Sequence, residues 1–211
     1  MRVHEVFASI QGETSRAGLP TFFIRTTGCN LRCAWCDTTE AFEGGEERSV
    51  EELVAKARSS GLENVTLTGG EPLLQSDAPK LVEQLLDAGL DVQIETNGSL
   101  DISPLDRRAS RIIDMKPPGS GEETAFLESN LEELSSRDEV KMVLRDRADY
   151  EWAIERIGSL RLAEPTKVLL APAWGELDPK ALARWILDDR LPVRLNLQIH
   201  KTIWGGDARG V

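Results

Sequence analysis

Cys29, Cys33 and Cys36 are the only thiols in a chain of 211 residues, separated by three and then two intervening residues. A disulfide framework uses an even number of cysteines spread along a chain. Three in one short loop point instead to metal binding or catalysis. An ordinary [4Fe–4S] cube takes four thiolates, so three would leave one iron open to an outside ligand. Zinc is the alternative, and a structural zinc site wants four ligands. His4 or His200 would have to supply the fourth, and neither is near the loop in sequence. Inert buried thiols are the remaining reading.

The second candidate is Thr68-Gly69-Gly70-Glu71-Pro72, a turn directly after an apolar run. Paired glycines let a backbone approach a ligand closely. The carboxyl ends of strands are where α/β folds bind ligands. Alone, this segment reads equally well as a tight turn with a surface glutamate. Together with the cysteine loop it is a much more specific signal.

These residues need elements to hold them. Apolar runs alternate with helical stretches, which reads as α/β with a largely parallel sheet. Strands are expected at 3–7, 21–25, 65–68, 92–95, 111–114, 139–144, 167–170 and 194–197. A helix is expected at 50–59, with Ser49 and Glu52 as a capping box and Gly61 as its stop. Others are expected at 78–88, near 148–157, and from Asp178-Pro179 to about 187. Residues 97–110 carry glycine and proline breaks and no clear apolar 3.6-residue period, so that crossover reads as a loop. A complete eight-unit barrel typically takes around 250 residues. The expectation is therefore an incomplete, shortened TIM-like (β/α) barrel of about six core strands, forming a single domain over 1–211. Residues 119–123 are polar and glycine-rich and are expected to be mobile.

Composition narrows the function classes. There are 25 basic and 36 acidic residues, a net charge of −11. Phosphate backbones attract basic surfaces, so no direct nucleic-acid partner is expected. No apolar run approaches the roughly 20 residues that cross a bilayer. Residues 1–7 have no secretion-signal pattern. The expected location is the cytoplasm, with no membrane partner.

The cysteine loop and the Gly-Gly-Glu-Pro turn together resemble the radical S-adenosylmethionine (SAM) superfamily. Further segments narrow the resemblance. Ser9-Ile10-Gln11-Gly12-Glu13, Arg25 just before the loop, Cys36-Asp37-Thr38, Glu95-Thr96-Asn97-Gly98 and Leu197-Gln198-Ile199-His200-Lys201 occur in this order along the whole chain. The set looks like the 7-carboxy-7-deazaguanine synthases. The resemblance implies a [4Fe–4S] cluster on Cys29, Cys33 and Cys36, with SAM chelating the uncapped iron. It also implies reductive formation of a 5′-deoxyadenosyl radical and Mg²⁺ near the Thr38 hydroxyl. The implied reaction is a ring contraction of 6-carboxy-5,6,7,8-tetrahydropterin to 7-carboxy-7-deazaguanine with loss of ammonia, in the queuosine pathway.

Site roles follow from the resemblance, residue by residue. Glu71 would receive the SAM amino group, with Gly70, Asp37 and Asn97 beside the cofactor and Trp35 near the adenine. Gln11, Glu13, Gln198, His200 and the backbone of Ile10 and Gly12 would read the pterin edge, with Thr68 alongside. Arg25 and Lys201 would offset anionic charge. Glu95, at a strand end, would serve as general acid or base. The loop at 28–45 would hold the cluster, and the tail at 198–211 would close on the substrate, its terminal carboxylate on Val211 meeting the pterin. Ile203 and Trp204 are expected to anchor that glycine-rich tail. The family's serine-proline-lysine segment reads Asp114-Met115-Lys116 here. Lys116, with Ser120 as a second candidate, would meet the SAM carboxylate or ribose. A glutamine-proline pair near the adenine reads Ala171-Pro172. A homodimer and a flavodoxin-like reductant are the implied partners. The competing readings are an activating enzyme that installs a glycyl radical on a large partner, and a non-enzymatic iron–sulfur or zinc protein.

Overall fold

The computed structural model describes residues 1–206 and 208–210. Nine strands form one sheet: β1 (Arg2–Ile10), β2 (Pro20–Thr26), β3 (Glu46–Glu47), β4 (Asn64–Gly69), β5 (Asp91–Thr96), β6 (Ser110–Asp114), β7 (Glu139–Leu144), β8 (Lys167–Pro172) and β9 (Arg194–Leu195). The spatial order is β3-β1-β2-β4-β5-β6-β7-β8-β9. Pairing is parallel from β2 through β9, and β1 is antiparallel to both β2 and β3. Six of the parallel strands, β2 and β4 to β8, have five to seven residues each. This is the expected incomplete barrel of about six core strands.

Strand alternation decides what faces where. Val65, Leu67, Val92 and Ile94 turn outward into one hydrophobic cluster. It is capped by α1 (Val50–Ser59) and α2 (Ala78–Asp87), whose Leu53, Leu81 and Leu85 join it. Val140, Met142, Leu144, Val168 and Leu170 turn outward into a second cluster under α3 (Arg147–Ser159) and α4 (Pro179–Asp189). The residues between them, Thr66, Gln93, Glu95, Glu139 and Lys141, are polar and turn the other way. A buried polar group needs a partner, so much of the barrel interior is a hydrogen-bonded network, beside a smaller apolar cluster of Val143, Ala171 and Ala173.

Helix ends follow local chemistry. Ser49 accepts from the Glu52 N–H at the start of α1, and Asp178 accepts from the Lys180 N–H before α4. The crossover at 97–109 has no helix, and its Ile102, Leu105 and Ala109 fill the first cluster in its place. The β6–β7 crossover is likewise built of short 3₁₀ turns, at Pro118–Ser120, Glu123–Ala125 and Glu128–Glu133.

Three expectations need correction. Residues 119–123 are tied down: Gly119 N–H donates to Asp149 at 2.8 Å, and Ser120 accepts from Ala34 N–H at 3.0 Å. The last strand is only Arg194–Leu195, followed by an unexpected helix α5 (Ile199–Trp204) that stops at Gly205. Ile203 and Trp204 do not anchor the tail, since each is about half exposed, at 51% and 50%. The anchors are charged instead: Lys201 binds Asp37 at 2.6 Å and Arg209 binds Glu40 at 2.6 Å. Cations tied to the cysteine loop hold the tail because its glycine-rich run has too little apolar area to do so.

Candidate active site

The carboxyl ends of the strands open into a cavity of about 620 Å³. Cys29, Cys33 and Cys36 line it, all partly buried. Their loop is held by main-chain hydrogen bonds and by side chains, among them Arg32 on the Cys29 carbonyl, Asn97 on Asn30 and Lys201 on Asp37. Gly28 N–H donates to Ala41, Glu71 N–H donates to Gly28, and Cys36 N–H donates to Cys33. Gly70 packs so closely on Gly28 and Cys29 that a β-carbon there would collide with both. Burial pushes the Cys29 and Cys33 thiols up, so bare protein favours them protonated. Among the described residues no three His, Cys, Asp or Glu side chains surround a single-ion position. His4 is on β1 and does not line the cavity, while His200 does.

Glu71 is not among the residues that line the cavity. It is fully buried, and its carboxylate accepts from Thr96 Oγ1 at 2.8 Å, Asn97 N–H at 2.7 Å and Leu73 N–H at 2.9 Å. It welds the turn to β5, and the cavity wall there is Gly69 and Gly70. Ser120 and Pro172 are also buried and do not line the cavity. The Ser120 hydroxyl donates to Pro117 in its own turn at 2.6 Å. Trp35 lines the cavity and packs on Val143, Ala171 and Ala173. Asn97, Lys116, Asp37, Thr38 and Thr68 line it as well. Thr38 Oγ1 donates to Asp37 at 3.0 Å.

The opposite wall is a set of charged and amide side chains. Glu13 accepts from Lys141 Nζ at 2.8 Å and from Gln198 Nε2 at 2.8 Å. Burial works against the Glu13 charge, but Lys141 and Gln198 hold its carboxyl below the usual range. Gln11 is buried, and its amide is already committed: it donates to Thr66 and to Glu95 at 3.2 Å and accepts from Glu13 N–H at 3.1 Å. It orients the site and does not present a free edge. Burial pushes Glu95 up, opposed by Lys141 and reinforced by the charge of Glu13. Arg25 and Lys201 are also paired already, Arg25 with Glu5 at 2.8 Å and Lys201 with Asp37. Burial works against the charge on Asp37, yet Lys201 outweighs it and keeps this carboxyl low. His200 packs flat against Gly12, where any β-carbon would collide with its ring. Ile199 N–H donates to the Gly12 carbonyl at 3.0 Å, fastening α5 to the first motif. Burial lowers the His200 pKa, favouring a neutral ring. Ile10 lines the cavity, and Val211 lies outside the described residues.

Sequence reasoning missed Lys141, Glu5 and the stacked pair Phe7–Phe23, whose ring centroids are 4.9 Å apart. It also gave Asp114 no role. The sequence signal for Lys141 was weak, a lysine set among Val140, Met142, Val143 and Leu144, and the burial of the whole strand shows only in the structure.

The fold and the three cysteines at its mouth define a class. Residues 23–169 match the radical SAM superfamily, whose members use a [4Fe–4S] cluster and SAM. A 7-carboxy-7-deazaguanine synthase of Koribacter versatilis is 40% identical over the full length of both chains. Those of Chlorobaculum tepidum and Thermoplasma acidophilum are each 41% identical, covering all of this chain and 97% and 100% of theirs. The crystal structure of QueE from Escherichia coli superposes with a TM-score of 0.76 at 25% identity, covering 93% of each chain. The chain belongs to the 7-carboxy-7-deazaguanine synthase family.

Proposed function

We propose that this chain converts 6-carboxy-5,6,7,8-tetrahydropterin to 7-carboxy-7-deazaguanine with release of ammonia, as an enzyme of the queuosine pathway. One observation carries the reading: the three cysteines and the hydrogen-bonding set Glu13, Gln198, His200 and Glu95 line a single cavity. An activating enzyme acting on a large protein would have no use for this set of small-molecule hydrogen-bonding groups.

Cys29, Cys33 and Cys36 hold the cluster, and the backbone of Gly69 and Gly70 provides close approach for SAM. Bound there, these groups supply one-electron reduction and hydrogen-atom abstraction. Trp35 covers the adenine. Asn97, Lys116 and Asp37 line the cofactor side. Glu13 accepts from the pterin's amino and ring N–H groups, while Gln198 keeps Glu13 aligned. Thr68 and His200 flank the ring. Glu95 carries the proton that must move during rearrangement. Arg25 exchanges Glu5 for the substrate carboxylate, an ion-pair swap within one desolvated site. The Thr38 hydroxyl is one oxygen ligand for Mg²⁺, an ion that keeps several waters and needs few protein ligands. Arg209 and Gly210 line the cavity beside this set.

A flavodoxin-like protein supplies electrons, and the chain works as a homodimer. Among the described residues no helix is long and apolar enough to cross a membrane.

The test is an anaerobic assay of reconstituted protein with SAM, dithionite, Mg²⁺ and the carboxylated tetrahydropterin. Formation of the deazaguanine is expected, with slower turnover when Mg²⁺ is withheld. Reductive SAM cleavage without any pterin turnover would reject the substrate and keep the superfamily.

A further inference from the structure

Lys141 occupies the middle of β7, all six of whose residues are buried. Val140 and Met142 on either side of it join the outer cluster, so its own side chain turns inward. It ends among three carboxylates from three different segments. Nζ is 2.8 Å from Glu13 in the β1–β2 loop, 3.3 Å from Asp114 at the end of β6, and 3.7 Å from Glu95 on β5. Its side chain is 7% exposed.

One cation cannot neutralise three anions in such a place, so the surroundings decide which carboxyl goes without a charge partner. Glu13 takes the shortest contact and gains the Gln198 amide on its other oxygen. Asp114 gains a second cation, Lys116, at 3.1 Å. Glu95 is farthest from Lys141, and its other oxygen receives only the neutral amides of Gln11 and Gln93, each at 3.2 Å. Beyond these groups, the carboxylate of Asp37 and the titratable ring of His200 complete the surroundings of Glu13.

We propose that Lys141 is the positioning residue of the substrate site, holding Glu13 as a fixed acceptor for the pterin's N–H edge and leaving Glu95 as the group that carries a proton. This rests on the reading that a pterin occupies the cavity. The division of roles follows from distance: the carboxylate in direct contact with the ammonium is held charged, and the one at the margin is held least firmly in that form. The titration directions agree with the geometry. Glu13 and Asp114 lie below the ordinary carboxylate range despite burial, and Glu95 lies above it because of burial. The competing account is that Lys141 only balances charge so that the barrel can fold.

Lys141→Met and Lys141→Arg, each as the reconstituted holoenzyme, separate the two accounts. In Lys141→Met the affinity for the carboxylated tetrahydropterin falls tenfold or more, while SAM affinity falls less than threefold. Loss of a neighbouring cation raises the Glu95 pKa further, so the limb of the kcat profile that reports Glu95 moves to higher pH. Lys141→Arg keeps the limb in place. Unchanged pterin affinity together with an unmoved limb in Lys141→Met would overturn the proposal. If Lys141→Met unfolds, the double variant Lys141→Met/Asp114→Asn restores the charge count. Recovery of both thermal stability and wild-type pterin affinity in that double variant reduces Lys141 to a counter-ion and also overturns the proposal. Recovered stability with weak pterin binding supports it. Wild-type protein that does not bind the pterin at all fails the substrate reading, and this proposal falls with it. Wild-type turnover with an indifferent Lys141→Met removes this proposal alone.

Discussion

The two walls of the cavity are built by different forces. On the cysteine wall many of the bonds that set the shape are between main-chain groups, Gly28 to Ala41, Glu71 to Gly28, Ala34 to Ser120, and side chains such as Asn30, Arg32 and Asp37 add others. On the substrate wall they are mostly between side chains far apart in sequence, with Lys141 and Glu13 separated by 128 positions and Gln198 and Glu13 by 185. A main-chain hydrogen bond tolerates side-chain change and has no pKa in the working range. A side-chain ion pair depends on identity, charge and pH. The cofactor wall is therefore the more tolerant of substitution outside its cysteines, its close-packed glycines and the side chains of Glu71 and Asp37. The substrate wall is where single side chains and pH decide activity.

The largest expected effect lies on the cofactor wall at a thiol. Cys33→Ala abolishes reductive SAM cleavage while leaving the fold intact, which circular dichroism and a 5′-deoxyadenosine assay check together. Retained cleavage would break the comparison at its root. Next comes the substrate wall. Glu95→Gln keeps the hydrogen bonds to Gln11 and Gln93 within reach but cannot carry a proton. Turnover is expected to fall by roughly 10²–10⁴-fold, the usual worth of a positioned acid or base, while SAM affinity holds. Loss of SAM affinity in parallel would mean that the walls are not independent.

The smallest effect on chemistry comes from a pair that belongs to neither wall. Arg111 and Asp138 are both almost completely buried and bonded at 2.6 Å. Removing one partner of such a pair leaves an uncompensated buried charge, a cost of about 3–5 kcal/mol. Asp138→Ala should lower the unfolding free energy by that much, read from denaturant titration, with little change in turnover per folded molecule. The pH dependence follows in sign. Burial alone would raise the Asp138 carboxyl, but Arg111 holds it below its ordinary value. Its stabilisation is thus present above about pH 4, the unfolded carboxylate value, and is lost as pH falls through the lower folded value. Acid unfolding curves of the variant should show a shallower loss over that window than the parent.

The same contrast explains what could be read in advance. The cysteine spacing, the Gly69-Gly70 turn and the capping box at Ser49 are local, so they are visible as patterns. The alternation of Val92, Gln93, Ile94 and Glu95 already separates an outer apolar face from an inner polar one. The missing helix at 97–109 was legible from its breaks. What could not be read was pairing: that Arg25 meets Glu5, that Lys201 meets Asp37, and that Glu71 spends its carboxylate on β5 instead of facing the cavity. Lys141 went unnoticed because a lysine on a strand is ordinarily solvated, and only a curled sheet closes three carboxylates around it.

By itself, then, the amino-acid order determined the chemistry available: three thiolates in one loop, glycines where a backbone must come close, and the order of strands and helices. These depend on neighbours within a few positions, and short-range sterics and hydrogen bonding act the same in any fold. Tertiary structure alone decided the protonation and engagement of each polar group. That outcome depends on burial and on charges more than a hundred positions away, and both exist only once the sheet has curled and α5 has docked its Lys201 on the cysteine loop.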